Sequence, residues 1–334
     1  MTSPILDDLV LQRARARAGA GAWPEVAALL DGECAPMTER PERVTLYAEA
    51  LMRCGEPRRA TEFLRQAVPA LSHSAHRTAH RTALNLSGAA SFAIGALDDA
   101  QAAWDRALEL AQQAGDTLLV ARATNNLGAI ASLRGSWHHA LSLYQLAVPV
   151  YQRLGDMHRL AETLHNIAIV YRDLGDLPAA DEHEMRAIEF AQQAGAGRLE
   201  MMARVGRAEL ALRRGDFPLA SVAALAAGRT SAANGDRETQ ADALRCAGEA
   251  STALGEHDEA RRLLDEAIAV AEGAGQALMQ AEALLASARL SQKVGEPQRA
   301  RDEAARAMDS FQRLGAQSGL ARTVDLLAEL GATD

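Results

Sequence analysis

Three histidines, His73, His76 and His80, stand at i, i+3 and i+7. On one helix that spacing puts three imidazoles on one face, within reach of a single metal ion. No carboxylate stands in the run and a turn lies close by, so the stretch reads as a surface helix start, and no metal is expected there. His183 and Glu184 begin the zinc-protease pattern H-E-x-x-H, but its second histidine is Ala187. His138 and His139 are adjacent, point apart, and read as surface residues. The cysteines Cys34, Cys54 and Cys246 are too few and too scattered for a disulfide framework or a four-cysteine zinc site. There is no glycine-rich phosphate loop and no G-x-S-x-G elbow. Without a nucleophile beside a base, a cofactor loop or paired acids, neither catalysis nor a cofactor is expected.

The remaining chemistry is that of recognition. Asn85, Asn125, Asn126 and Asn166 each carry a donor and an acceptor, and Asn126 and Asn166 are 40 residues apart. The same period runs through the chain. Gly55, Gly95, Gly135, Gly175, Gly215, Gly255 and Gly295 are spaced by 40, and a second glycine column from Gly115 to Gly315 is offset by 20. Alanine fills two further columns, one from Ala60 to Ala300 and one from Ala67 to Ala307. A third column, beginning Ala48, Gly88, Gly128 and Ala168, holds only small residues, which let helix backbones approach closely. Between the glycines, apolar residues follow the i, i+3/i+4 rhythm, as at Ala103, Trp104, Ala107, Leu108 and Ala111. Each glycine ends a helix in the left-handed conformation, and the acid after Gly115, Gly155 and Gly235 caps the next one. The unit is two antiparallel helices of about 15–18 residues, each roughly 25 Å long. Pro69 and Pro149, late in their helices, predict a kink or an early end.

Gly128, Gly135, Trp137, Ala140, Tyr144 and Ala147 together resemble the tetratricopeptide repeat. That repeat is usually about 34 residues long. The longer unit here is similar to those of kinesin light chain, of LGN-type cell-polarity adaptors and of many bacterial tetratricopeptide proteins. The resemblance implies an all-α fold, an α-α superhelix (solenoid) of about eight helix pairs with a C-terminal capping helix. One continuous domain over 1–334 is expected. Within it, 3–34 is a divergent first repeat, 41–314 holds seven regular repeats, and 316–331 is the cap.

The resemblance also implies that first helices line a concave groove. At the groove-facing motif positions stand Asn85, Arg122, Asn125, Asn126, His165, Asn166, Ile169 and Arg172. A row of Asn side chains at Asn126 and Asn166 would hold the backbone of an extended peptide. Farther along, Glu209, Asp242, Arg245 and Glu249 make the face a mixture of acid and base. That mixture suits either ion-pair matching with a partner or internal pairing. The Met157, Met185, Met201 and Met202 side chains read as core filler.

The net charge is −9 and aromatic residues make up 4%, so a nucleic-acid partner and a β-sandwich are both disfavoured. No apolar run is long enough to span a membrane, and residues 1–8 carry no leader pattern, so a cytoplasmic protein is expected. The expected function is a scaffold or adaptor that binds a protein or peptide in the groove. The alternatives are a peptide- or ligand-responsive regulator and a self-assembling scaffold, a homo-oligomer.

Overall fold

The computed structural model describes residues 4–331, and every regular element among them is a helix. In chain order these are α1 (Pro4–Gly19), α2 (Trp23–Leu30), α3 (Pro41–Arg53), α4 (Pro57–Ser72), α5 (Arg77–Ala93) and α6 (Leu97–Ala114). Then follow α7 (Thr117–Leu133), α8 (Trp137–Leu154), α9 (Met157–Asp173), α10 (Leu177–Gln193), α11 (Gly197–Arg213) and α12 (Phe217–Ala233). The last are α13 (Arg237–Leu254), α14 (His257–Gly273), α15 (Ala277–Lys293), α16 (Pro297–Leu314) and α17 (Gln317–Gly331). The fold is an all-α solenoid of helix pairs. Its contacts divide into two compact units, Met1–Leu127 and Gly128–Asp334.

The turns follow from the glycine columns. All thirteen column glycines have positive φ, between 62 and 84°. After α6, Gly115 at φ 67° lets Asp116 N–H donate back to the Ala111 carbonyl at 2.9 Å, and Asp116 Oδ1 then accepts from Leu119 N–H at 3.1 Å. One residue pair thus closes one helix and opens the next. Asp156 and Asp236 cap α9 and α13 in the same way.

In the second unit, consecutive helices pack as antiparallel pairs. The odd-numbered helices also touch one another: α9 with α11, α11 with α13, α13 with α15. The alanine columns are buried throughout, from Ala60 to Ala307. The small-residue column is explained by what faces it. A Cβ on Gly128 would come within 2.7 Å of the Tyr144 ring, and one on Gly248 within 2.7 Å of Leu264.

Pro69 and Pro149 lie inside their helices: α4 ends at Ser72, three residues after Pro69, whereas α8 runs on to Leu154. Both prolines are exposed, so the carbonyl each leaves unpaired one turn earlier faces water. Met185 is not core filler: it is 49% exposed on α10.

Candidate functional site

His73, His76 and His80 do not share a helix. His73 closes α4, His76 opens α5, and His80 lies inside α5. Among the described residues, no group of three or more His, Cys, Asp or Glu side chains is placed to hold a metal ion. None of the described helices is long and apolar enough to cross a membrane.

In the second unit, the layer formed by α9, α11 and α13 concentrates the charge. Glu209 on α11 bridges two guanidinium groups, Arg172 on α9 and Arg245 on α13. Arg172 Nε also donates to Asp173 at 3.1 Å. Arg245 is 7% exposed and donates further to Asp242 at 2.6 and 3.0 Å and to Glu249 at 2.8 Å. Burial would raise the Glu209 carboxyl, but the two arginines overcome it and hold it down at about 2. The mixed acid–base face is therefore paired internally, across three successive repeats.

Beside this network sits a buried histidine–carboxyl pair. His165 on α9 places Nδ1 at 2.9 and 3.0 Å from the two oxygens of Glu184 on α10. The residues are 8% and 2% exposed. Burial alone would discharge the imidazole; the Glu184 charge and hydrogen bond outweigh it and raise the His165 pKa above its ordinary value. Glu184 stands in the column that holds Leu64, Trp104, Tyr144, Ala224, Leu264 and Ala304 elsewhere. Its carboxylate fills the space that a Cβ on Gly206 would need, so the asparagine column cannot continue at 206.

The predicted groove residues therefore fall into two groups. His165 and Arg172 are consumed by Glu184 and Glu209. Asn166 and Ile169, on the same helix, are half-buried, and the Asn166 amide has no hydrogen-bond partner among the described residues. In the first unit, Asn126 Nδ2 lies 3.4 Å from Asn85 Oδ1. Asn125 is 6% exposed, and both it and Arg122 are engaged within the structure. Asn166 thus offers an unspent donor and acceptor beside the α9–α13 charge network. Glu184 is the site residue that sequence reasoning missed. Its signal was a carboxylate in an otherwise uncharged packing column.

A family profile described as tetratricopeptide repeat matches residues 79–153 and 119–193, and a second of the same description matches 241–274. No curated protein matches the sequence. Several solved structures share the fold. A Rap protein complexed with Competence and Sporulation Factor is 13% identical, with a TM-score of 0.66 over 98% of this chain and 99% of that one. The apo quorum sensor NprR from B. thuringiensis is 14% identical, with a TM-score of 0.61 over 97% and 98%. A signal-transduction ATPase with a tetratricopeptide-repeat sensor, from Pyrococcus horikoshii, is 14% identical, with a TM-score of 0.60 over 93% of this chain and 47% of that one.

Proposed function

The chain is a tetratricopeptide-repeat protein, and on that premise we propose that it is a binding protein whose ligand is a peptide held along the first-helix layer. The observation that carries this reading is the side-chain amide of Asn166, half-buried and unpartnered on α9. A primary amide both donates and accepts, so it satisfies a peptide backbone without selecting a side chain. Ile169, one turn away, supplies an apolar contact. The α9–α13 network has four carboxylates, Asp173, Glu209, Asp242 and Glu249, against two guanidiniums, Arg172 and Arg245. That surplus favours a peptide bearing positive charge.

A signalling peptide as the ligand, and a regulator as the protein, is the second reading. It is supported by the fold shared over nearly the full length with a Rap protein complexed with Competence and Sporulation Factor and with a quorum sensor.

The test is peptide-display selection on the purified protein, followed by titration of the selected peptides against Asn166→Ala. Loss of about tenfold in affinity with unchanged melting supports the site, since one hydrogen-bonded contact is worth about 1.4 kcal/mol. Selected peptides that bind Asn166→Ala as tightly as wild type would move the ligand away from this face.

A further inference from the structure

The second helices α4, α10, α14 and α16 turn charged residues to solvent, whereas α8 carries His139, Ser142 and Leu146 at those positions and α12 is wholly apolar there. On α14 the outward positions carry Glu259, Arg262 and Glu266; forty residues earlier, on α12, the same positions carry Leu219, Val222 and Ala226. Leu219 is 55% exposed and Val222 68%. Beside them runs a groove of about 470 Å³ between α10 and α12, floored by Ala208, Ala211, Ala223 and Ala227. An apolar stripe of this kind, on a helix whose neighbours are charged, marks an interface.

We propose that a second copy of this chain covers it, with the two α12 helices packed antiparallel about a two-fold axis near Val222 and Ala223. The stripe is complementary to itself in one register. Leu219 of one copy meets Ala226 of the other, large against small. Val222 meets Ala223. In the same register Asp216, which caps α12, meets Arg229. Arg229 is exposed and has no ion-pair partner among the described residues. Three pairings of size and charge thus agree on one alignment, which is what a self-matching two-fold interface requires. One helix pair and its flanks form a small interface, so the dimer is weak and exchanges with monomer as concentration changes.

The experiment is sedimentation of the full chain over a concentration series, for wild type and Val222→Glu. A monomer–dimer equilibrium in wild type, weakened at least tenfold by Val222→Glu, supports the proposal. A wild type that stays monomeric throughout overturns it, as does a dimer indifferent to Val222→Glu. A thermal melt checks that Val222→Glu remains folded. If it does not, cysteine crosslinking in a Cys54→Ala background decides. Val222→Cys lies close to the axis and oxidises to a covalent dimer. Leu219→Cys does not, because its mate lies about 10 Å along the helix, outside disulfide reach. Equal crosslinking at both positions, or none at Val222→Cys, overturns the register. A dimer broken by Val222→Glu with peptide binding intact separates this interface from the proposed peptide site.

Discussion

The ring of Tyr144 on α8 occupies the place where a Cβ of Gly128 on α7 would be, with ring carbons within 2.7 to 3.0 Å of it. The glycine is there for the neighbour's bulk and not for its own backbone, which is helical.

Gly128→Ala should therefore destabilise by about 1–3 kcal/mol through overpacking. Adding Tyr144→Leu should recover part of that loss by making room. Gly115→Ala should also destabilise, by about 1 kcal/mol, but for a different reason: φ is 67° and nothing lies within 4 Å of an added Cβ. No trimming of a neighbour should rescue it. Denaturant unfolding of the variants checks both statements.

Removing the shared carboxylate leaves two buried guanidiniums facing each other. Glu209→Gln should cost about 3–5 kcal/mol. The triple replacement Arg172→Met/Glu209→Leu/Arg245→Met should cost less, because both guanidiniums leave with the carboxylate they share and the acids left behind, Asp173, Asp242 and Glu249, are partly exposed to water. A triple variant as unstable as Glu209→Gln would show that the network contributes more than the pairing of its charges.

The two ionic clusters respond to pH in opposite senses. The folded-state pKa of His165 lies above its ordinary 6.5, so its contribution is complete below that pH and is lost as pH rises through the folded value. Glu209 is held at about 2 against an ordinary 4.5, so its contribution is present above 4.5 and is lost as pH falls toward 2. Melting temperature should therefore decline on the alkaline side of 6.5 and on the acid side of 4.5. In His165→Gln the alkaline decline should be smaller, and an unchanged profile would remove the pair from the account.

Phe311 is fully buried against Gly319 on α17, and Leu326 and Leu330 lie in the same cluster. Deleting 317–334 should uncover that cluster, cost about 1.5–3 kcal/mol for Phe311 alone, and lower solubility. Light scattering and a thermal melt of the truncated chain check it. A truncation that stays soluble with an unchanged melt would show that the cluster is closed without α17.

Helix ends were legible in the sequence because a left-handed C′ residue leaves a chemical mark: only glycine sits there at no cost, so Gly115 and its column mates announce the turns directly. Packing was legible for the same reason at Ala60 and Ala67. The site was less so. Asn166 is singled out by its column, but the pairing of His165 with Glu184 was hidden, since the two are 19 residues apart on different helices. Period-40 reasoning compares residues down a column, whereas this contact runs across columns. The exposed face of α12 was missed because apolar residues at helical spacing read as core until the structure shows which side is wet. Pro149 does not end α8, because a proline on the exposed side of a helix can be followed by further turns.

A solenoid in which every repeat touches only its neighbours can lose order one repeat at a time from either end. Arg172 and Arg245 belong to repeats two apart, yet they grip one carboxylate. Fraying that begins at α17 must stop at α13 or undo three repeats together, so the array behaves as a zipper with a rivet through its middle. Amide-exchange protection should accordingly rise in a step across α9–α13, with the flanking helices opening and closing around a shared rigid block.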